Sequence, residues 1–321
     1  MFTTTYCLLF TLAGDPSHTV GDHPDWMSAR RSEATAALVR TTLSKATPDA
    51  NTPQHVDWRT ALSLGALQEP EDAPTTTMSS EALAKELANP VASLISVPFQ
   101  WNYDRHIGPD DDGTRHLLNF QPVIPISLSD DWNLISRTIV PLAYQRDITP
   151  RGGNQRGVGD ILQSLFFSPK KPTENGWILG AGPVLLLPTA SNDLLGGEQW
   201  AAGPTFVGLR QTGPWTYGAL ANHVWSFAGA RDRDSINSTF LQPFVSYTTP
   251  DAWTFTLETE STYDWRSSEW SVPIIGVVSK VLTIGDQRIN IFGGIKYWAQ
   301  SPTSGPSGFG LRFGVTLLFP N

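Results

Sequence analysis

GFGLRFGVTLLF, residues Gly308 to Phe319, is the stretch whose alternation decides the fold. Phe309, Leu311, Phe313, Val315, Leu317 and Phe319 fall on one face, and Gly308, Gly310, Arg312, Gly314 and Thr316 on the other. A period of two with one wholly apolar face is a β-strand between two media. The apolar face is large and aromatic, whereas the other, mostly glycine with a hydroxyl and a charge, has little with which to fill a packed core. A transmembrane β-strand divides lipid from lumen in this way.

Other segments repeat the pattern. Trp253 to Trp265 sets Trp253, Phe255, Leu257, Tyr263 and Trp265 against Thr254, Thr256, Glu258, Glu260, Thr262 and Asp264. Leu118 to Leu128 sets Leu118, Phe120, Ile124, Ile126 and Leu128 against Asn119, Gln121 and Ser127, and Ile289 to Tyr297 turns Asn290 and Lys296 inward. A charge on the lipid face near the midplane costs about 2–4 kcal/mol, so the charges of these strands belong to the lumen. Asn119, Gln121, Arg137, Glu258, Glu260, Lys280, Lys296 and Arg312 are therefore the candidate lumen-lining residues, and the lumen is expected to be polar with both signs present.

From Ser93 onward about twelve strand-like segments follow one another, and their connections alternate in length. Long polar ones (His106 to Thr114, Arg146 to Arg156, Pro188 to Gln199, Gly229 to Ser235, Asp264 to Glu269, Gln300 to Ser307) take turns with mostly short ones such as Ser129 to Asp131, Thr212 to Pro214, Thr249 to Ala252 and Gly285 to Asp286. An antiparallel up-and-down barrel in an outer membrane does this because one rim faces the periplasm with tight turns and the other faces outside with longer loops. Trp132, Trp177, Trp215 and Trp253 each follow a short turn, at intervals of roughly 40 residues. Trp225 and Trp265, with further tryptophans and tyrosines, stand beside the long loops. Two aromatic belts, one per rim, are what rings with a polar edge form at the two interfaces of a membrane.

Prolines inside the strands (Pro98, Pro122, Pro125, Pro141, Pro183, Pro204, Pro243, Pro273) each remove a ladder donor that lipid cannot replace, and bulges are expected there. The segments Gly159 to Ser168 and Gly203 to Gln211 alternate poorly, which leaves their facing open.

The chain has 321 residues, a net charge of −8 and one cysteine, Cys7. With this modest negative charge nothing in the sequence points to the clustered basic surface of a nucleic-acid binder, and no nucleic-acid partner is expected. A single cysteine excludes an internal disulfide and a cysteine metal cluster. No stretch approaches the roughly 20 apolar residues of a transmembrane helix, so membrane crossing requires a closed barrel.

Two domains are expected: residues 1–79, a signal-like start with a mostly disordered extension, and residues 80–321, the barrel with a short helix before its first strand. Tyr6 to Ala13 has the length of a signal peptide but no preceding Lys or Arg and no small-x-small site before Asp15, which reads as a degenerate signal or a mis-set start. Asp15 to Thr77 looks like linker, with one helical candidate from Ser32 to Lys45. His18, Asp22, His23 and Asp25 match no ligand spacing, and neither a metal nor a cofactor is expected. Ser80 to Ala88 reads as a helix capped by Ser80 and stopped by Asn89-Pro90. Its first placement is the periplasmic rim, and its alternative is a plug in the lumen.

Catalysis has weak support. His223 and Ser226 are the nearest candidates for a lipase at the lipid face, but alternation sets them on opposite sides of the strand and no G-x-S-x-G turn occurs, so no enzyme is expected. The acidic loop Gly108 to Gly113 lacks the first Asp and terminal Glu of a calcium loop.

The phrases AKELANPVASLISVPFQWNYD (Ala84 to Asp104), LNFQPVIPISLSDDWNLISRTIVPLAYQ (Leu118 to Gln145), GVGDILQSLFFSP (Gly157 to Pro169), GPVLLLPTASNDLLGGEQWAAGP (Gly182 to Pro204), ANHVWSFAG (Ala221 to Gly229) and LQPFVSY (Leu241 to Tyr247) resemble the outer-membrane transporter family named for the meta-pathway of phenol degradation. The resemblance spans most of Ala84 to Asn321 and includes the in-strand prolines. The N-terminal extension and the Pro320-Asn321 end depart from it. It implies an outer-membrane β-barrel in a Gram-negative bacterium, without naming a substrate. The function expected is passage of small solutes, aromatic or hydrophobic if the family name is a guide; the alternative is a structural or ligand-binding barrel whose lumen charges pair and fill it. The expected partners are outer-membrane lipid and lipopolysaccharide, the barrel-assembly machinery and a small-molecule solute.

Overall fold

A computed structural model describes residues 78–149 and 153–319. The apolar run at Tyr6, the helical candidate at Ser32, the His18–Asp25 group and the Pro320-Asn321 end lie outside the described residues.

The chain forms helix α1 (Ser80–Leu87) and twelve strands. They are β1 (Ile95–Ile107), β2 (Gly113–Phe120 continued by Val123–Ser127), β3 (Trp132–Arg146), β4 (Asn154–Val158 continued by Ile161–Pro169), β5 (Trp177–Leu187), β6 (Gln199–Thr212), β7 (Trp215–Gly229), β8 (Asn237–Thr248), β9 (Trp253–Thr259 continued by Ser261–Asp264), β10 (Glu269–Ile284), β11 (Gln287–Gln300) and β12 (Gly308–Phe319). Neighbours in sequence pair antiparallel, and β12 returns to β1 with Ile95 opposite Phe319 and Tyr103 opposite Leu311, so the sheet closes and leaves no edge. The short turns share an end with both chain ends of the barrel, the periplasmic end by the loop-length rule.

The outward face is the lipid-facing band that the alternation implied. Phe309, Phe313 and Leu257 are each about half exposed, and Trp132, Trp177, Trp215 and Trp253 ring the short-turn end. Trp225, Trp265, Tyr144 and Tyr297 stand exposed at the other end, where Trp101, Tyr103 and His116 stack in one aromatic run.

The prolines act in two ways. Leu142 pairs with Val158 but Ile139 with Leu162, a one-residue slip at Gly159-Asp160 opposite Pro141, and a second slip falls between Val272 and Pro273. Elsewhere pairing is interrupted without a slip, so the expectation of a bulge at every proline is corrected. The gap at Glu260 in β9 lies between Pro243 on β8 and Pro273 on β10, neither of which has an N–H to donate. Pro183 and Pro204 face each other across β5 and β6.

Helix α1 sits inside the periplasmic mouth of the barrel rather than along its outer edge. Ser79, one residue before the expected cap, accepts from the Ala82 N–H at 3.1 Å, and Lys85 bridges Glu81 at 2.7 Å along the helix. Leu83 and Ala84 are buried with Val281, Leu318 and Ala252 on the inner wall. Ala88 and Val91, just past the helix, pack with Ile135, Phe166, Val207 and Leu209 from the other side of the ring. Hydrogen bonds tie the segment to separate strands: Arg288 Nη1 to Ser80 Oγ at 2.9 Å, Gln211 Nε2 to the Lys85 carbonyl at 2.8 Å, and Asn133 Nδ2 to Ser93 Oγ at 2.8 Å. Residues 80–94 therefore plug the periplasmic end of the barrel.

Candidate functional site

The lumen wall has two halves of different chemistry. The β9–β2 side holds most of the buried charge, beside a small apolar cluster of Ile275, Val277 and Phe292. Arg312 lies at the centre, with Nη1 donating to Glu258 Oε1 at 2.9 Å and to Glu260 Oε1 at 3.0 Å, Nη2 to Glu260 Oε2 at 2.7 Å, and Nε to Asn102 Oδ1 at 2.9 Å. Gln242 Nε2 donates to the other Glu258 oxygen at 2.9 Å. One step toward the outside, Asp104 accepts from Lys296 Nζ at 2.8 Å, from Trp298 Nε1 at 2.9 Å and, more loosely, from Arg115 Nη2 at 3.4 Å. Backbone geometry permits this density of contacts: a Cβ on Gly310 would stand 2.5 Å from the Tyr103 carbonyl and 3.0 Å from Asp104 Oδ1. Buried charges survive in such a place only when paired and hydrogen-bonded.

On the β3–β8 side two apolar clusters share the inward face with buried polar residues such as Asn133, Arg137, Ser164, Thr205 and Asn222. Ile135, Phe166, Val207, Leu209, Leu220, Phe240 and Phe244 form one buried cluster with the plug, and Ile139, Leu162, Val184, Leu186, Ala201 and Val224 form another toward the outside. The expectation of a polar lumen with both signs present holds for the ion pairs and is corrected where these apolar clusters line the wall. The poor alternation of β4 and β6 has its explanation here, because both of their faces are apolar, one toward lipid and one toward the plug and its neighbours.

At the outer end of this apolar half the connection 188–198 is pinned down. Asp160 accepts from the Ala190 N–H at 3.1 Å and the Gly197 N–H at 2.7 Å, Gln145 Nε2 donates to the Leu194 carbonyl at 3.1 Å, and Arg233 Nη2 to the Gly196 carbonyl at 2.7 Å.

Asn119, Gln121, Arg137, Glu258, Glu260, Lys296 and Arg312 all point inward and are almost fully buried. Lys280 does not. It pairs with Trp253 across β9 and β10 on the outward face, with Nζ 4.6 Å from the Trp253 ring, and it reaches toward the periplasmic interface as a snorkelling lysine does. Gln100, Asn102, Asp104, Arg115 and Gln242 were missed. The signal for the first three was present, since Ser96, Pro98, Gln100, Asn102 and Asp104 alternate cleanly with Ile95, Val97, Phe99, Trp101 and Tyr103. His223 Nδ1 lies 2.6 Å from Thr239 Oγ1, between Trp225 and Trp265, while Ser226 Oγ accepts from the Ile236 N–H at 2.9 Å, so the histidine and serine face different partners.

No protein-family model matches the sequence, and no curated protein matches it. Among solved structures the barrel is similar to an outer-membrane channel from Pseudomonas putida F1, 14% identical, with a TM-score of 0.57 over 71% of this chain and 96% of that one. The NanC porin, 12% identical, superposes with a TM-score of 0.45 over 70% of this chain and 98% of its own. The outer membrane phospholipase A of Escherichia coli, 9% identical, reaches 0.41 over 70% of this chain and 90% of its own. The likeness to the first is one of fold, and together with the lipid-facing band it makes this chain an outer-membrane β-barrel.

Proposed function

We propose that this barrel is a plugged channel for small, predominantly apolar solutes, in keeping with the sequence resemblance to the phenol meta-pathway transporter family. The observation that carries the reading is the apolar half of the inner wall. A barrel that serves only as a structural element gains nothing by lining half its interior with Phe166, Val207, Leu209, Leu220 and Phe240 and then covering them with Ala88 and Val91 of its own N-terminal segment. Drawn back, that segment exposes the Ile135–Phe166–Phe240 cluster inside the barrel, while the opposite wall stays rigid through its ion pairs. The fold it shares with an outer-membrane channel supports the reading by analogy of architecture.

The paired charges favour a second reading, a filled and static barrel. The two are separated by conductance and toluene uptake of the full chain in liposomes, compared with the plug variant Val91→Asp. A channel gives small or rare steps in the wild type and larger, sustained ones with faster toluene entry in the variant. A folded, inserted barrel that is silent and impermeable in both forms refutes the channel.

A further inference from the structure

Between the two halves of the wall runs a column of amide side chains whose hydrogen-bonding groups the protein itself leaves unused. Gln121, Asn119 and Asn102 point inward from β2 and β1 near mid-height of the barrel, each about 1% exposed or less. Asn119 lies directly across from Gln100, with Asn102 the next inward position along β1. Neither polar atom of the Asn119 side chain has a partner, nor does Gln121 Nε2 or Asn102 Nδ2, although Gln121 Oε1 accepts from Arg137 Nη2 and Asn102 Oδ1 from Arg312 Nε. The carbonyl oxygens of these two residues thus face arginines, and their amide N–H groups turn toward the lumen. Leaving three such donors buried and unmatched costs on the order of 1–3 kcal/mol each, so they are built to meet something that is not part of the chain. The buried Arg137 guanidinium beside Gln121 favours an anion there.

We propose that this column, Asn102, Asn119 and Gln121 with Arg137, is the subsite for a carboxylate carried on a small apolar or aromatic body. The inference rests on the channel reading and narrows its substrate class to apolar acids. The carboxylate accepts from the three amide donors beside the Arg137 guanidinium, while the body lies along the Ile135–Phe166–Phe240 wall. A small cavity of about 30 Å³ begins next to this column, at Ser96 and Pro98 of β1, and is closed on its other side by Glu86, Leu87 and Asn89 of the plug segment. Glu86 lies on the plug side of that cavity, so an anion takes the column with the plug drawn back.

The test is a fluorine NMR titration of the full chain in detergent micelles with 4-fluorobenzoate and with 4-fluorotoluene. Folding of each variant is checked by its heat-modifiable mobility. The wild type is expected to prefer the benzoate, and Asn119→Asp, which keeps the shape and adds a negative charge, to lower the benzoate-to-toluene affinity ratio by roughly tenfold or more. Gln121→Leu serves as a second variant, with a smaller fall in the same ratio. A wild type that binds fluorotoluene at least as tightly as fluorobenzoate, or variants with an unchanged ratio, would show that water alone fills the column and would overturn the subsite while leaving the channel standing. Failure of both probes to bind or to enter liposomes would overturn the channel reading as well.

Discussion

The two halves of the lumen wall are held by opposite means. The β9–β2 half is a lattice of directional contacts in which every carboxylate has a named cation: Glu258 and Glu260 share Arg312, and Asp104 has Lys296 and Arg115. The β3–β8 half carries a non-directional apolar cluster whose contacts are completed by a segment that enters from the periplasmic end. Charges fixed at hydrogen-bond distance cannot shift without leaving one of them unpaired in a low-dielectric interior. An apolar surface accepts any apolar partner of similar shape, so on the proposed reading a solute can take the place of the plug. On that reading one side sets the shape of the barrel and the other changes its occupant.

The sharpest way to break this contrast is Arg312→Met. It strands Glu258 and Glu260 without their cation, and a loss of about 3–5 kcal/mol is expected, read as a fall in the urea midpoint of the refolded barrel. Glu258→Gln and Glu260→Gln added to it should recover most of the loss. On the apolar half, Phe240→Ala removes a fully buried ring at the wall, for about 3–5 kcal/mol if the plug does not resettle. A cost well below that, with a gain in conductance, would show the plug closing over the gap.

A smaller effect follows from pH. Burial alone pushes the Glu86 carboxyl above its ordinary value. The free chain ionises first as pH rises, so docking of the plug is fully favourable below the ordinary carboxylate range and weakens as pH climbs through the raised value. Conductance should rise over that window, and Glu86→Gln should flatten the profile. Lys280→Ala, on the outward face, should cost only about 0.5–1 kcal/mol by loss of its contact with Trp253 and leave conductance unchanged, as expected of a residue outside the lumen.

How much was legible varied with how unlike the two faces of a strand are. In β12 and β9 lipid lies on one side and the charge lattice on the other, so Phe313 against Arg312 and Leu257 against Glu258 could be assigned from alternation alone. In β4 Phe166 and Phe167 are both apolar, yet one is fully buried inside and the other exposed to lipid. No periodic signal distinguishes them. Lys280 was misplaced because a long side chain near a rim can face outward and still reach the interface.

The sequence by itself determined the closed twelve-stranded architecture, the direction of its rims and the inward place of Arg312, Glu258, Glu260 and Lys296, because membrane and lumen impose opposite solvation on alternate residues. Only the tertiary structure decided that those charges pair with Asp104 and Asn102 from strands far away in the chain. It alone turned Ser80–Leu94 from rim to plug, since what covers an apolar surface depends on which segments closure brings together, and local periodicity carries no record of that.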